Sequence, residues 1–220
     1  MLRKIFVCAL TAAIFCLVGC GGGGEQQKTS ADKAVLAYAE LIAGGESANM
    51  AAAGLTDADK KEIRDEIADE LADGFKEVMP LTDQSANAVA EKFYAKFKNE
   101  MKFQTTLKKD DKEHPVVELK TTPINQDSAN KAMPANDEFL ALIGMIGQLK
   151  ADGATDDQLK NNAELQQLAV TALSKYVEAL TLQGEKTFDV VCKEVKGSDG
   201  KTHWAPEDDD ALAKFILGQK

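Results

Sequence analysis

Few side chains in this sequence are spaced so that they could do chemistry together. There are two histidines, His114 and His203, and four cysteines. The histidines show neither the HxH nor the HExxH spacing that sets two imidazoles on one zinc ion. They are expected as independent surface residues, with no metal and no cofactor bound. The acidic run Glu207-Asp208-Asp209-Asp210 has oxygens for calcium but lacks the alternating ligands and sharp glycine turn of an EF-hand. Its simpler role is to open a helix, where carboxylates complement the dipole. Asp110-Asp111 fits a turn and Asp156-Asp157 a first helical turn. No GxSxG elbow, Walker loop or dinucleotide glycine pattern occurs in the chain. Acids are plentiful enough to supply the two carboxylates of a glycoside hydrolase, but the separation that such chemistry needs is a tertiary property. No catalytic residue is expected.

Two further features concern binding and reactivity. Trp204, the single tryptophan, is the best candidate to line a pocket, together with Tyr38 and Tyr94; the competing role is sealing the core against the last helix. Cys192 sits in Phe188-Asp189-Val190-Val191-Cys192 and shares a face with Phe188 and Val190 at strand spacing. That position predicts a buried, unreactive thiol.

The remaining cysteines, Cys8, Cys16 and Cys20, lie at the start. Arg3 and Lys4 precede an uncharged apolar run from Ile5 to Val18, the layout of a secretory signal. The run is shorter than the ~20 residues needed to cross a bilayer as a helix. It ends in Leu17-Val18-Gly19-Cys20, which resembles the lipobox of bacterial lipoproteins. The resemblance implies cleavage between Gly19 and Cys20 and acylation of the Cys20 sulfur. Two or three acyl chains, each buried CH₂ contributing ~0.8 kcal/mol, would hold the protein to a membrane. Gly21 to Lys28 is a polar, glycine-rich spacer, and about ten such residues span roughly 16–19 Å. The expected location is a cell membrane or outer membrane, lipid-anchored and facing the extracytoplasmic side.

The net charge of −10 becomes −12 once Arg3 and Lys4 leave with such a leader. A chain this acidic is a poor partner for nucleic acid, whose affinity comes from phosphate neutralisation. It would also be repelled by anionic lipid, which leaves the acyl group to hold it. With Cys192 alone beyond the anchor, no internal disulfide can form, so the fold rests on its core.

That core is to be built from helical stripes and period-two strand segments. A helix opens near Ala31, carries Val35, Tyr38, Leu41 and Ile42 on one stripe and stops at Gly44-Gly45. A second starts at Thr56-Asp57 with Ile63, Ile67, Leu71, Phe75 and Val78 inward and ends at Pro80. A third, from Thr82 or Ser85, presents Val89, Phe93, Phe97 and Met101. The period then shortens to two: Met101 to Lys108 and Val116 to Thr121 flank a polar turn and predict an antiparallel hairpin, with Pro115 at the first position of its returning strand. Pro123 to Pro134 reads as a polar loop. Phe139 to Leu149 is apolar nearly all round, which predicts a helix central to the core, with Gly144 and Gly147 admitting another backbone. Thr155-Asp156-Asp157-Gln158 matches a capping box opening a helix that continues to Gly184. Thr187 to Val195 and Lys201 to Ala205 predict a second hairpin, and Asp208 caps a last helix with Leu212, Phe215 and Ile216 inward.

Strands segregated from helices predict an α+β fold with an antiparallel sheet of about four strands, as two hairpins, packed against several helices. The closing segment, Phe188 to Val191 and then Asp199-Gly200-Lys201-Thr202-His203-Trp204, resembles that of small cystatin-like and NTF2-like bacterial lipoprotein domains. Ala34-Val35-Leu36-Ala37-Tyr38 resembles their opening helix. The resemblance implies a curved sheet and binding of a ligand or partner protein. The chain departs from the pattern where Thr202 and His203 separate Lys201 from Trp204, and in a helical insert from Asn136 to Gly184. The expected organisation is a signal peptide at 1–19, a lipidated cysteine and linker at 20–30, and one domain at 31–220. The function expected is that of a membrane-anchored, non-catalytic module binding an unidentified ligand or envelope protein; the alternative is a cell-envelope hydrolase using acidic residues.

Overall fold

The computed structural model describes residues 30–73, 81–197 and 200–219. The leader, Cys20, the inward positions Phe75 and Val78, the helix end at Pro80 and the turn residues Ser198 and Asp199 lie outside the described residues.

Eight α-helices and two sheets are present among those residues: α1 (Ala31–Gly44), α2 (Asp57–Asp73), α3 (Asp83–Glu100), β1 (Gln104–Lys109), β2 (Val116–Thr121), β3 (Ile124–Asn125), α4 (Gln126–Ala132), α5 (Asp137–Ala151), α6 (Asp156–Lys160), α7 (Ala163–Ala179), β4 (Thr181–Leu182), β5 (Lys186–Lys196), β6 (Thr202–Pro206) and α8 (Asp209–Leu217). The larger sheet has the order β1-β2-β5-β6 and is antiparallel throughout. The α+β architecture is thus the expected one: each predicted hairpin forms, and β2 and β5 join them, with Val117 opposite Val190 and Leu119 opposite Phe188.

Alternation explains which face is buried. Val117, Leu119, Thr121, Val190 and Cys192 point one way and are buried. The other face carries Lys108, whose ammonium lies 2.9 Å from Asp189 and 3.5 Å from Glu118. Such exposed pairs contribute little stability but keep the face in water. On the apolar side α1 lies against β1, β2 and β6 and also touches α2, α3 and α8. Ala34, Val35, Ala37, Ala39 and Leu41 on α1 are wholly inaccessible. Its many alanines allow neighbours to approach from every direction. Phe215 of α8 stacks on Phe188 at 4.9 Å between centroids.

A second layer is formed by α5, α6 and α7, whose core of Leu142, Ile146, Leu159, Leu165, Ala169 and Ala172 is separate from the main cluster. It is bolted on through α3: the Lys96 ammonium donates to the carbonyls of Val177, Glu178 and Leu180 at the end of α7, a cation where a helix exposes unpaired acceptors. The Thr82 amide donates to Gln166 Oε1 at 3.1 Å.

Several sequence expectations need correction. The stretch 123–134 is not a loop: it holds β3, α4 and a short 3-10 turn, Met133–Ala135. Its polar composition hid the inward positions Ile124, Ala129 and Met133, all buried. The capping box at Thr155 forms with both bonds, yet it caps only the five residues of α6; Asn162 then caps α7 separately, accepting from the Leu165 amide at 2.9 Å. His203 is not a surface histidine. It is 6% exposed, and its ring lies over Gly54, where a Cβ would come within 2.4 Å of it. Helix α5 is not central: Leu142 and Ile146 are its only buried residues. Nothing lies within 4 Å of where a Cβ on Gly144 or Gly147 would stand.

Candidate functional site

A groove of about 550 Å³ opens where α1 and α3 end side by side. Helix α1 stops because Gly45 adopts a left-handed backbone (φ 64°), its amide closing back on the Leu41 carbonyl. A side chain there would collide with Arg64, with Nη1 only 2.5 Å from a Cβ. The chain that follows is tied down as one wall of the groove. Ser47 Oγ donates to Glu40 Oε2 at 2.6 Å, and the Asn49 side-chain amide donates to the same oxygen at 3.3 Å. The Lys60 ammonium meets Glu46 at 2.6 Å, and that hydrogen bond holds the Glu46 carboxyl below the usual carboxylate range. Lys98 and Lys102 on and just past α3 form the opposite wall, with Met101 and Phe103 below. The groove therefore offers both signs of charge over a partly apolar floor. Its volume falls within the ~300–1,000 Å³ usual for ligand sites.

A second cavity, about 30 Å³, lies between α2 and α8 over α1. Its walls are Tyr38, Ile42, Ile63, Ile67, Ala213 and Leu217, with Glu66, Glu70 and Asp209 at the edge. Burial, and then the charges of Glu62 and Asp209, push the Glu66 carboxyl up to about 7. Burial raises Asp209 as well. Room for about one water does not admit a sugar or peptide.

The three aromatic candidates are placed in three different settings. Tyr38, on α1, forms part of that small cavity, and burial raises its phenol. Tyr94, on α3, lies beneath the Arg64 guanidinium, 4.6 Å from its ring centroid, and edge-on to Phe93. Trp204 is 7% exposed in the main core on β6, opposite Glu194. Cys192 is wholly buried, and burial pushes its thiol up to about 12, so it holds its proton. His114 stands in the first hairpin, 3.8 Å from Glu207. Asp208 caps α8, its carboxylate accepting from the Ala211 amide at 2.8 Å. No group of three or more potential metal ligands occurs among the described residues. Gly19 and Cys20 lie outside them.

Sequence reading missed Glu40, Ser47, Asn49, Lys98 and Lys102. The available signal was local: a double-glycine stop followed by Glu46-Ser47, and two lysines four residues apart across a helix end.

No protein-family model matches the sequence, and no curated protein matches it. The fold defines an α+β protein with a four-stranded antiparallel sheet, and it resembles one solved structure in particular. That is a protein of Bacillus subtilis subsp. subtilis str. 168 described as a putative lipoprotein (ycdA), with a TM-score of 0.53 at 18% identity. The match covers 84% of this chain and 55% of that one, so this chain spans little more than half its length. At this identity the likeness concerns the fold. No helix among the described residues is long and apolar enough to cross a membrane.

Proposed function

We propose that this chain is a lipid-anchored extracytoplasmic binding module, tethered through Cys20, whose groove at the end of α1 takes a polar ligand of mixed charge or a segment of an envelope protein. Leu17-Val18-Gly19-Cys20 and the likeness to a Bacillus subtilis protein described as a putative lipoprotein support the anchor. The observation that carries the binding reading is the position of the groove. The linker joins α1 at its first residue, the groove lies at its last, and 14 residues of helix separate them by about 21 Å. A short tether therefore leaves the groove at the end of α1 remote from it. Lys98 and Lys102 suit a carboxylate or phosphate, Glu46 an amine, and Phe103 an apolar stem.

The anchor is tested by Cys20→Ala, which should abolish acyl labelling and release the protein from membranes; a variant that still labels and pellets removes this part of the proposal. The groove is tested by Ala48→Trp, a bulky side chain at an exposed lining position. Wild-type chain should capture an envelope protein or give a ligand thermal shift that Ala48→Trp loses; capture or shift identical in both would discard the groove.

The alternative hydrolase is favoured by one observation, the carboxyl of Glu66 at about 7, where a general acid works at neutral pH. The small cavity beside it counts against that reading. Turnover in a hydrolase panel that Glu66→Gln abolishes would establish it in place of the binding module.

A further inference from the structure

Leu107, Leu140, Ile143 and Val191 are the exposed large hydrophobic residues among those described, and Leu140 (51% exposed) and Ile143 (44%) share one face of α5. Gly144 and Gly147 lie on the same face, again with open space around them. A glycine inside a helix costs roughly 1 kcal/mol relative to alanine, and the fold of this chain recovers none of it by packing at either position. At one end of the face stands Asp137 in the first turn and at the other Lys150 in the last, while Glu138 is turned toward α7, near Lys175. Lys150 is half exposed and makes only a long contact, 3.8 Å, to Asp156.

We propose that this face of α5 is the contact by which two copies of the chain associate, helix against helix and antiparallel about a two-fold axis beside Ile143 and Gly144. The arrangement is self-complementary. In that register Leu140 of one copy stands level with Gly147 of the other, a large side chain over a notch. The two Ile143 side chains meet at the axis, and the two Gly144 residues let the backbones close to about 8 Å, the short end of helix spacings. The acidic first turn of each helix lies beside the Lys150-bearing last turn of the other, which also aligns the helix dipoles favourably. A parallel pairing would set acid against acid. The same acids disfavour an anionic lipid surface as the occupant. One helix face per copy buries less than the ~1,200 Å² of a standard interface, so the dimer is weak and reversible.

Cysteine cross-linking of the full chain in isolated membranes at physiological salt tests the contact and its register, with the chain lacking introduced cysteines as the control. Gly144→Cys should form a disulfide-linked dimer on mild oxidation, because two positions at the axis lie within bridging distance. Leu140→Cys alone should not, since its two copies are about 10 Å apart along the helices. Leu140→Cys co-expressed with Gly147→Cys should cross-link. Adding Ile143→Asp or Gly147→Leu to Gly144→Cys should cut the linked fraction at least ten-fold; the second variant keeps the face apolar and only fills the notch. Absence of a Gly144→Cys dimer, a dimer indifferent to both changes, or Leu140→Cys linking as readily as the mixed pair would each overturn the proposal. So would a Cys20→Ala chain that floats with neutral phosphatidylcholine vesicles through Ile143 while no cross-link forms, which would make the face a lipid-docking surface.

Discussion

Two apolar helices in this protein meet opposite fates. Helix α1 is alanine-rich and has ten buried residues; α5 carries bulkier apolar side chains and has two. The difference is in what surrounds them. The small side chains of α1 let the sheet, α2, α3 and α8 reach it from all sides, whereas α5 rests on α7 and leaves its far face in water. Hydrophobicity sets how strongly a helix would gain from burial, about 25 cal/mol per Å². Size and topology decide whether neighbours can supply it.

The sharpest test of this contrast replaces one leucine on each helix. Leu41 on α1 is inaccessible, so Leu41→Ala should cost 2–5 kcal/mol through lost transfer energy and the cavity left behind. Leu140→Ala on the outer face of α5 should stay within ~0.5 kcal/mol. Urea denaturation of the two variants measures both; equal losses would mean that α5 is as central as its composition implies.

Enlarging a small residue gives the next effect. Ala37→Leu has no space on α1 and should cost ~1–3 kcal/mol by forcing neighbours off their rotamers. Ala141→Leu on α5 adds a side chain at an exposed position and should be near neutral. Thermal melting distinguishes them, and a neutral Ala37→Leu would show that the packing around α1 is loose.

The flank of α1 also carries a pH-dependent contribution. Glu66 faces Glu62 on its own helix and Asp209 and Asp210 on α8, while Lys193 is the cation near Asp209. The carboxyl of Glu66 is raised from an ordinary value of 4.5 to about 7, so the folded state binds its proton more tightly than the unfolded one. Its stabilising contribution is full below pH 4.5 and is lost as pH rises through about 7. Glu66→Gln should therefore stabilise the protein at pH 8 by about 1 kcal/mol after allowance for solvent screening, and flatten the loss between pH 5 and 7. An unchanged slope would remove Glu66 as its source.

What could be read from the sequence follows the same division. The inward stripes of α1 and α3 (Val35, Leu41, Val89, Phe93, Phe97) and both hairpins are local periodicities, and local periodicity survives folding. The peripheral place of α5, the burial of His203 against Gly54 and the groove between the ends of α1 and α3 depend on which element arrives next to which. Helix α4 was hidden because a seven-residue helix on the surface needs only Ala129 inward and shows no stripe. Glu40 and Lys98 are ordinary helix-surface residues until Gly45 stops α1 beside the end of α3.

The smallest effect expected separates intrinsic helix cost from packing most cleanly. Gly44 and Gly144 are both helical glycines, one on each helix of the contrast. At Gly44 an added Cβ would meet the backbone of Lys98 at 3.4 Å; at Gly144 it would meet nothing. Alanine removes the unfolded-state entropy advantage of glycine at either site, a gain of ~0.4–1 kcal/mol where the native backbone accepts it. Gly144→Ala should realise that gain in a monomeric sample, while Gly44→Ala should lose part of it to the tight fit against α3. The measurement is the difference between two urea midpoints at constant m-value. Equal gains would mean that α3 yields at that crossing, and the distinction between a helix closed in by its neighbours and one left half bare would rest on side-chain burial alone.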